Sequence, residues 1–321
     1  MTTDRGANTA SRLRERLHVH LRLGRVSNLP TVWSNVLAAM VISGARPGAF
    51  GLGTALFACS ALYVGGMYLN DACDAEIDAR ERAERPIPTG LITRSRVYLG
   101  AAIWMLVGLF GLIVSRYIIF ATLLTDSQGV ALVTSLLWVL FPVLLVACIV
   151  TYDLYHKGNP YGPVLMAACR ALVYLSIGFT MTRVPETTLL YGAVLAFVWI
   201  MGLTALAKRE SRAANSASSR WDYWPFAVLA TPVFVSLLWL QASPLLIGVL
   251  CIVLISIVGI AVQLMRSAVP ESFGHGIGLL IAGMSIVDAL AIARTGASGL
   301  AMTACLCCVL TLVFQRRISG T

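Results

Sequence analysis

The sequence predicts an all-α membrane protein that crosses the bilayer many times, and three observations lead to that prediction. Of the 321 residues, 58% are hydrophobic and only 12% are charged, which is unlike the composition of a soluble globular domain. The apolar residues are gathered in segments of about 20, the length at which a helix crosses the hydrocarbon core. The basic residues are concentrated in alternate connections between those segments, as in proteins with a fixed orientation in the membrane.

Ten segments are apolar and long enough to be considered as spans. In chain order they are 30–45, 50–70, 97–115, 130–151, 161–181, 187–207, 225–241, 244–265, 275–293 and 297–314. The last two could form one re-entrant unit, so the sequence predicts nine to ten transmembrane helices. We therefore expect a basic N-terminal segment over 1–28, a single transmembrane domain over 29–315 and a short tail over 316–321. The first segment is rich in Arg and lacks the apolar stretch of a signal peptide.

The placement of Lys and Arg predicts a cytoplasmic N-terminus. With that orientation, all but five of the 24 basic residues lie in cytoplasmic connections. The exceptions are Arg46, Arg116, Arg183 and Arg294 outside, and Arg170 within a span. We therefore expect an integral, multi-pass protein of the cell (inner) membrane. The net charge of +9 follows from this bias and from attraction to anionic lipid, so it does not indicate nucleic-acid binding.

A cluster of acidic residues ends the second apolar segment, in the stretch YLNDACDAEIDAR over 68–80. Because a helix advances about 100° per residue, Asp71, Asp74 and Asp78 share an arc of roughly 60°, whereas Glu76 points away. Like charges on one face repel each other, so this arrangement favours a bound cation. Carboxylates suit Mg²⁺, which binds one or two of them while keeping contacts to water and phosphate. The simpler alternative is a solvated acidic helix end, neutralised by the Arg residues that follow.

The longer stretch NDACDAEIDARERAERPIPTG, over 70–90, resembles the NDxxDxxxD…RPIPxG signature of the UbiA superfamily of intramembrane prenyltransferases. All four motif positions match, at Asn70, Asp71, Asp74 and Asp78, and the second part begins at Arg85. Residues 23–40 resemble the first helix of that family, in which Asn35 would be the polar residue that faces the site. The stretches HLRLGRVSNLPTVWSN, YDLYHKGNP and MAACRALVYL, with a basic stretch in place of a second acidic motif, together resemble the EboC-like branch of the superfamily.

This resemblance implies a bundle of transmembrane helices around a central cavity, with polar loops as a cap on the cytoplasmic side. An isoprenyl diphosphate would place its head under the cap and its tail in the membrane. Mg²⁺ held by Asp71, Asp74 and Asp78 would neutralise the leaving diphosphate, and a small acceptor would capture the resulting allylic cation. Asn70 and Arg85 would bind the substrate. A water-poor cavity also suits such a cation, because it prevents hydrolysis.

The stretch YDLYHKGNP, over 152–160, is similar to the place where family members carry a Tyr and a Lys-Arg pair that contact the diphosphate. Tyr152 and Lys157 fit this pattern, and His156 replaces the first basic residue. Lys157 could also be a simple anchor on the positive side of the membrane. Asp153 is an acid that the family does not usually supply here.

Arg170 lies about ten residues, or roughly 15 Å, into an apolar span. A charge at that depth is a functional hypothesis by default. Arg170 is therefore expected to face the cavity, where it pairs with a carboxylate or binds an anionic ligand, or to form a structural pair with Asp288, which also lies inside an apolar segment. The sequence leaves both alternatives open.

The second half departs from the family pattern. Superfamily enzymes usually carry another acidic motif after the sixth helix, but here the chain reads GLTALAKRESR over 202–212. Glu210 can serve as one metal ligand there, flanked by Lys208 and Arg209. Either these two cations hold the diphosphate directly, or the ionisation step is lost. We favour the first alternative, because a degenerate enzyme has no need of three crowded carboxylates in the first cluster.

The leading prediction is an Mg²⁺-dependent prenyltransferase whose partners are an isoprenyl diphosphate, a small acceptor and membrane lipid. One alternative is a terpene cyclase of the same family, which would quench the same cation internally. Another is a non-catalytic protein that binds or transports prenyl diphosphates or lipids. A transporter usually shows related halves, but the acidic cluster has no counterpart in the second half of this chain.

Overall fold

The computed structural model describes residues 14–46, 48–121, 131–155, 159–182, 185–213, 224–238, 242–267, 269 and 271–318, and within these ranges every regular element is helical. The helices are α1 over 14–23, α2 (Leu29–Ile42), α3 (Ala49–Glu81), α4 (Arg94–Ala121), α5 (Ala131–Tyr155), α6 (Gly162–Met181), α7 (Thr188–Ala213), α8 (Trp224–Leu237), α9 (Pro244–Arg266), α10 (Ser272–Ala293) and α11 (Ser298–Gln315). A short 3₁₀ turn at Val26–Asn28 precedes α2.

The helices confirm a multi-pass membrane protein. Eight of them, α3 to α7 and α9 to α11, are long and apolar enough to cross a bilayer. Two shorter apolar helices, Val26–Ile42 and Trp224–Leu237, correspond to the two remaining predicted segments. Each of the ten apolar segments thus contains a helix, and the last two segments form separate helices. The number of nine to ten spans stays a prediction, because it depends on the two shorter helices.

Helices α2 and α10 form the centre of the bundle. Helix α2 contacts α3, α6, α7, α10 and α11, and α10 also packs on α7, α9 and α11. Almost every residue from Gly276 to Ala293 is buried, and apart from Asp288 this stretch consists of apolar and small residues, as burial on all sides requires. The remaining helices pack around this pair, mostly next to their neighbours in sequence.

Helix α3 is long enough to place its acidic residues at a membrane surface. With 33 residues it measures about 50 Å, whereas the hydrocarbon core of a bilayer is about 30 Å thick. The first twenty residues of the helix would therefore cross the core, and the last turns extend beyond it. The end of the bundle that carries residues 70–90 is called the motif end below.

Glycines allow α3 and α4 to pack closely. A Cβ atom on Gly65 would lie 2.8 Å from Met105 Cγ and 3.1 Å from the carbonyl oxygen of Ala101, both on α4. In the opposite direction, a Cβ on Gly108 would lie 2.8 Å from the carbonyl oxygen of Ala58. Small residues at such contacts are a common way to bring two membrane helices together. This contact fixes α3 against the helix that follows the motif.

We expect Gly65→Ala to lower the melting temperature of the purified protein, because its methyl group would push α4 away from α3. Overpacking of this kind typically costs about 1–3 kcal/mol. Gly53→Ala is the matched control, because Gly53 lies on the same helix and a Cβ there would meet nothing within 4 Å. Thermal unfolding of both variants in one detergent measures the difference. Equal melting temperatures would contradict the close packing of α3 on α4.

Candidate active site at the end of α3

The three aspartates of the motif lie on the buried face of α3, as their spacing predicts. Asp71 and Asp74 are each 6% exposed and Asp78 is 4% exposed. Glu76, which the helical spacing directs away from them, has 78% of its side chain exposed and pairs with Arg94 on α4. The structure therefore does not favour a solvated acidic helix end. Three carboxylates buried side by side require positive charge close to them.

Arg85 supplies part of that charge from the loop after α3. Its Nη1 atom lies 3.0 Å from Asp71 Oδ1 and 2.9 Å from Asp78 Oδ2. The loop can fold back on the helix because it turns tightly, with the amide of Thr89 donating to the carbonyl of Arg85 and with Gly90 at a φ of 75°. Burial lowers the pKa of the Arg85 guanidinium, which nevertheless remains charged at neutral pH.

Arg25 is a second cation at this cluster, and the sequence analysis did not single it out. Its Nη2 atom lies 3.2 Å from Asn70 Oδ1 and 3.3 Å from Asp71 Oδ1. Burial acts to lower its pKa, but the charge and hydrogen bond of Asp71 together with the nearby Tyr63 and Tyr152 outweigh that effect, so the pKa is raised. Arg25 has a φ of 41°, the one positive value at a non-glycine position among the described residues. The one feature of the sequence that could have indicated this role is the position of Arg25 directly before the first apolar helix.

Helix α5 adds a fourth buried carboxylate. Asn70 Nδ2 donates to Asp153 Oδ1 over 3.1 Å, and Asp153 is 4% exposed. This acid was noted as unusual for the family, and the structure places it beside the motif. Tyr152, predicted to bind the substrate, precedes it and lines the cavity described next.

An apolar cavity of about 100 Å³ lies beside these acids, between α2, α3, α5 and α6. Most of its wall is aliphatic, with the phenols of Tyr63 and Tyr152 as aromatic groups. The lining residues include Val32, Leu62, Met67, Leu145, Ile149 and Val173. Two charged residues belong to the wall, Asp153 and Arg170. The cavity therefore has a largely apolar wall suited to a hydrocarbon, with two charged residues in it.

Arg170 lies inside the bundle, on α6, and is held by α2. It donates from Nη1 to Asn35 Oδ1 and from Nη2 to Thr31 Oγ1, the second contact being 3.3 Å long. Among the described residues it forms no ion pair within 4 Å. Asn35 is fully buried and does not belong to the cavity wall, so its predicted contact with substrate could act only through Arg170.

Asp288, at the centre of α10, is fully buried and accepts hydrogen bonds from neutral groups. Asn35 Nδ2 lies 2.8 Å from Oδ1 and 2.7 Å from Oδ2 of this carboxylate. The hydroxyls of Ser34 and Tyr174 also donate to it. Asn35 thus joins Asp288 to Arg170 without a direct ion pair. The structure places Arg170 in the cavity wall and links it to Asp288 only through Asn35, and its binding of an anionic ligand stays a prediction.

The basic stretch of α7 reaches the same end of the bundle through Lys208. Its Nζ atom donates to the carbonyl oxygen of Asn159, in the connection between α5 and α6, over 2.6 Å. The predicted ligand Lys157 lies outside the described residues, and so do the side chains of Arg209 and Glu210. The roles predicted for these three residues stay predictions.

The donor set at the motif fits Mg²⁺ by its chemistry. Within the described part of the chain, no three acidic, His or Cys side chains are grouped closely enough to hold a metal by themselves. Mg²⁺ does not require such a cage, because it binds one or two carboxylates and completes its shell with phosphate and water. The described charges at this site are four carboxylates, Asp71, Asp74, Asp78 and Asp153, and two guanidiniums, Arg25 and Arg85. A divalent ion would complement these described groups.

Comparisons with known proteins agree with this description. The sequence model of the UbiA prenyltransferase family matches residues 29–272. Among curated proteins no sequence match is found. Three solved structures illustrate the similarity of the fold. A digeranylgeranylglyceryl phosphate synthase shares 18% identity at a TM-score of 0.57, covering 89% of this chain and 99% of its own.

The other two structures are of UbiA homologues. The homologue from Aeropyrum pernix K1, in its apo form, has a TM-score of 0.57 and 14% identity, covering 84% of this chain and 98% of its own. The homologue from Archaeoglobus fulgidus, bound to GPP and Mg²⁺, has a TM-score of 0.51 and 14% identity, covering 88% and 99%. At these identities the match concerns the fold.

Proposed function

Because the chain belongs to the UbiA prenyltransferase family, we propose that it transfers a prenyl group from an isoprenyl diphosphate to a small acceptor with the help of Mg²⁺. The observation that carries this proposal is the buried cluster of Asp71, Asp78 and Arg85, which adjoins an apolar cavity through the contact of Asn70 with Asp153 in the cavity wall. A relative of the same fold binds GPP and Mg²⁺, which supports this class of substrate.

Arg25 and Arg85 would hold the diphosphate. A guanidinium presents several donors in a planar fork, which matches the oxygens of a phosphate group. Both groups lie against Asp71, so they are oriented towards the place where the metal-binding carboxylates converge. Lys208, and Lys157 and Arg209 by their position in the sequence, would add positive charge around the head. These cations would take the place of the second acidic motif.

Asp71, Asp74 and Asp78 would hold Mg²⁺, which supplies positive charge for the leaving diphosphate. The bond between the prenyl C1 atom and the diphosphate oxygen breaks, and the oxygen retains the electron pair. The acceptor forms its new bond to C1 and gives up a proton, which the departing diphosphate accepts. The phenols of Tyr63 and Tyr152 face the cavity, where their rings can stabilise a cation.

The cavity would bind the prenyl chain and exclude water. Each buried CH₂ group contributes about 0.8 kcal/mol, so the aliphatic wall stabilises the chain without polar contacts. Exclusion of water protects an allylic cation from hydrolysis. We further propose that the motif end faces the cytoplasm, on the distribution of Lys and Arg, and that the chain is closest to the EboC-like branch.

The experiment uses the purified protein in detergent with geranyl diphosphate. Binding of its unreactive S-thiolodiphosphate analogue is titrated with and without Mg²⁺, while release of diphosphate and the prenyl product are followed with geranyl diphosphate itself. We expect Mg²⁺-dependent binding, and release that accelerates when an extract containing acceptors is added. Release without an extract, together with a cyclic hydrocarbon, would identify a cyclase instead. Binding that ignores Mg²⁺ would contradict the proposal and leave a lipid-binding protein.

A further inference from the structure

A second cavity lies at the end of the bundle opposite the motif end. Helix α2 begins beside the motif, since Arg25 just before it contacts Asp71, and the cavity is found where α2 ends, about 20 Å further along that helix. The cavity has a volume of about 690 Å³ and lies between the ends of α2 and α10 and the beginnings of α7 and α11. The prenyl transfer proposed above does not use it.

The wall of this second cavity carries three charges, from Arg46, Arg294 and Glu186. The two cations are among only four that the sequence analysis expects on the side of the membrane away from the cytoplasm, so the general bias of basic residues does not explain them. Within the described part of the chain, neither Glu186 nor Arg46 forms an ion pair within 4 Å. Charges of opposite sign therefore face one cavity without neutralising each other by direct contact.

The fold attaches Glu186 to the end of α2. The amide of Glu186 donates to the carbonyl oxygen of Ser43 over 3.3 Å, and Thr188 Oγ1 donates to the carbonyl oxygen of Ile42 over 2.6 Å. The turn after α2 contains Gly44 at a φ of 77°, where a Cβ atom would lie 2.9 Å from Glu186 Oε1. The absence of a side chain at this turn therefore leaves room for the carboxylate.

The ring of Tyr191 orients Arg294. The guanidinium carbon of Arg294 lies 4.4 Å from the centroid of that ring, and the ring hydroxyl lies 3.3 Å from Ser236 Oγ. A contact of this kind is made with the face of the guanidinium, whereas its N–H donors lie in its plane and point outward along its edge. That edge matches the oxygens of a phosphate group.

We propose that the second cavity binds phosphatidylethanolamine, with the lipid phosphate on Arg46 and Arg294 and the lipid ammonium on Glu186. This headgroup carries one negative and one positive charge a few bonds apart, which complements two cations and one carboxylate. An anionic headgroup without an ammonium would place a phosphate near Glu186 and leave that carboxylate without a cation. A choline headgroup carries the positive charge but has no N–H group to donate to the carboxylate.

The remaining wall of the cavity indicates a lipid rather than a soluble phosphate ester. It includes the apolar side chains of Met40, Val41, Ala291 and Leu300. Helices α10 and α11 are both long and apolar enough to cross a bilayer, and the cavity lies at one end of each, which is the level of the lipid headgroups. The apolar side chains can therefore contact the first methylene groups of the acyl chains while the charges bind the headgroup.

The test titrates the full-length protein in detergent with dioleoyl phosphatidylethanolamine and with dioleoyl phosphatidylcholine, which have identical acyl chains. Native mass spectrometry measures the dissociation constant of the first lipid bound. We expect the wild type to bind phosphatidylethanolamine at least about tenfold more tightly, as for one hydrogen bond between charged groups. Equal dissociation constants would overturn the inference.

Two kinds of variant separate the roles of the charges. Glu186→Leu should bind the two lipids equally, because leucine accepts no hydrogen bond, and a preference that persists in this variant would contradict the assignment of the ammonium. Arg46→Met and Arg294→Met should weaken both lipids by about tenfold and leave their ratio unchanged. Glu186 and Arg46 are exposed, so their variants carry the test if Arg294→Met does not fold.

Arg116→Met is the matched control. Arg116 is another cation expected on this side of the membrane, but it donates to the carbonyl oxygens of Phe179 and Thr182 and does not line the cavity. This variant should keep both dissociation constants. A lost preference here would show a general effect of removing a cation and would overturn the assignment.

Two competing ligands complete the test. Dioleoyl phosphatidylglycerol should bind the wild type more weakly than phosphatidylethanolamine, and tighter binding would show a site for anionic lipid instead. Phosphoethanolamine without acyl chains should not displace the lipid at equal concentration, and displacement would identify a soluble ligand. None of these measurements involves a prenyl diphosphate, so their outcome is independent of the proposed function.

Discussion

Asp71→Asn is expected to reduce the Mg²⁺-dependent release of diphosphate from geranyl diphosphate by at least about 100-fold, a size typical for the loss of one preorganised charge in an active site. Asp71 is the residue on which the cluster converges, because Arg25 and Arg85 both pair with one of its oxygens. Asparagine keeps the shape and removes the charge. The metal would lose a ligand, and both guanidiniums would lose the carboxylate that orients them.

A binding measurement distinguishes this effect from a general loss of activity. In Asp71→Asn, Mg²⁺ should no longer strengthen binding of the unreactive diphosphate analogue. Glu76→Gln is the control, since it removes a carboxylate from the same helix but from its exposed face. That variant should behave like the wild type. An Asp71→Asn protein that keeps the Mg²⁺ dependence, or a Glu76→Gln protein that loses it, would refute the assignment of the metal to the buried face.

Asp288→Leu should destabilise the protein by about 3–5 kcal/mol, the range for removing one member of a buried charged network. The change leaves the Asn35 amide and the Tyr174 hydroxyl without their acceptor. It also removes the negative charge that Asn35 connects to Arg170. Because α2, α6 and α10 meet at this network, the loss should affect the centre of the bundle.

A double-mutant cycle measures the connection between the two charges. Replacing both, in Arg170→Met/Asp288→Leu, should cost less than the sum of the single changes, since no buried charge remains unbalanced. Ser285→Ala, on the same helix, removes one hydroxyl contact to Ser34 and should cost only about 1 kcal/mol. Additive effects of the two charge changes in thermal unfolding would show that Arg170 and Asp288 act independently.

The acidic site could be predicted from the sequence to the extent that it is local. Asp71, Asp74 and Asp78 share a helix, so their common face follows from the helical repeat, and the buried side chains agree with it. A position for Arg85 near the acids could be predicted in the same way, because only a short turn separates it from α3. Its pairing with two of the three acids still required the loop to fold back.

The partners from other helices could not be found in this way. Arg25 and Asp71 are separated by 46 residues, Asn70 and Asp153 by 83, and Asn35 and Asp288 by 253. The spacing of residues within one helix carries no information about which face of a distant helix that helix will contact. Arg25 was visible only as one basic residue among many on the positive side. Arg170 and Asp288 were each conspicuous as a charge in an apolar segment, but the role of the Asn35 amide in joining them was not visible.

By itself the sequence determined the apolar segments that become helices, the face of α3 that carries the acids and the family to which the chain belongs. These properties depend on composition and on the period of a single helix, and both can be read from residues that are close together in the sequence. Only the tertiary structure decided that a cavity lies between α2, α3, α5 and α6, that Arg25 and Asp153 join the motif, and that Arg170 faces that cavity while linked to Asp288. The reason is physical: these arrangements depend on how the helices rotate and pack against one another, and close packing is a property of the whole bundle.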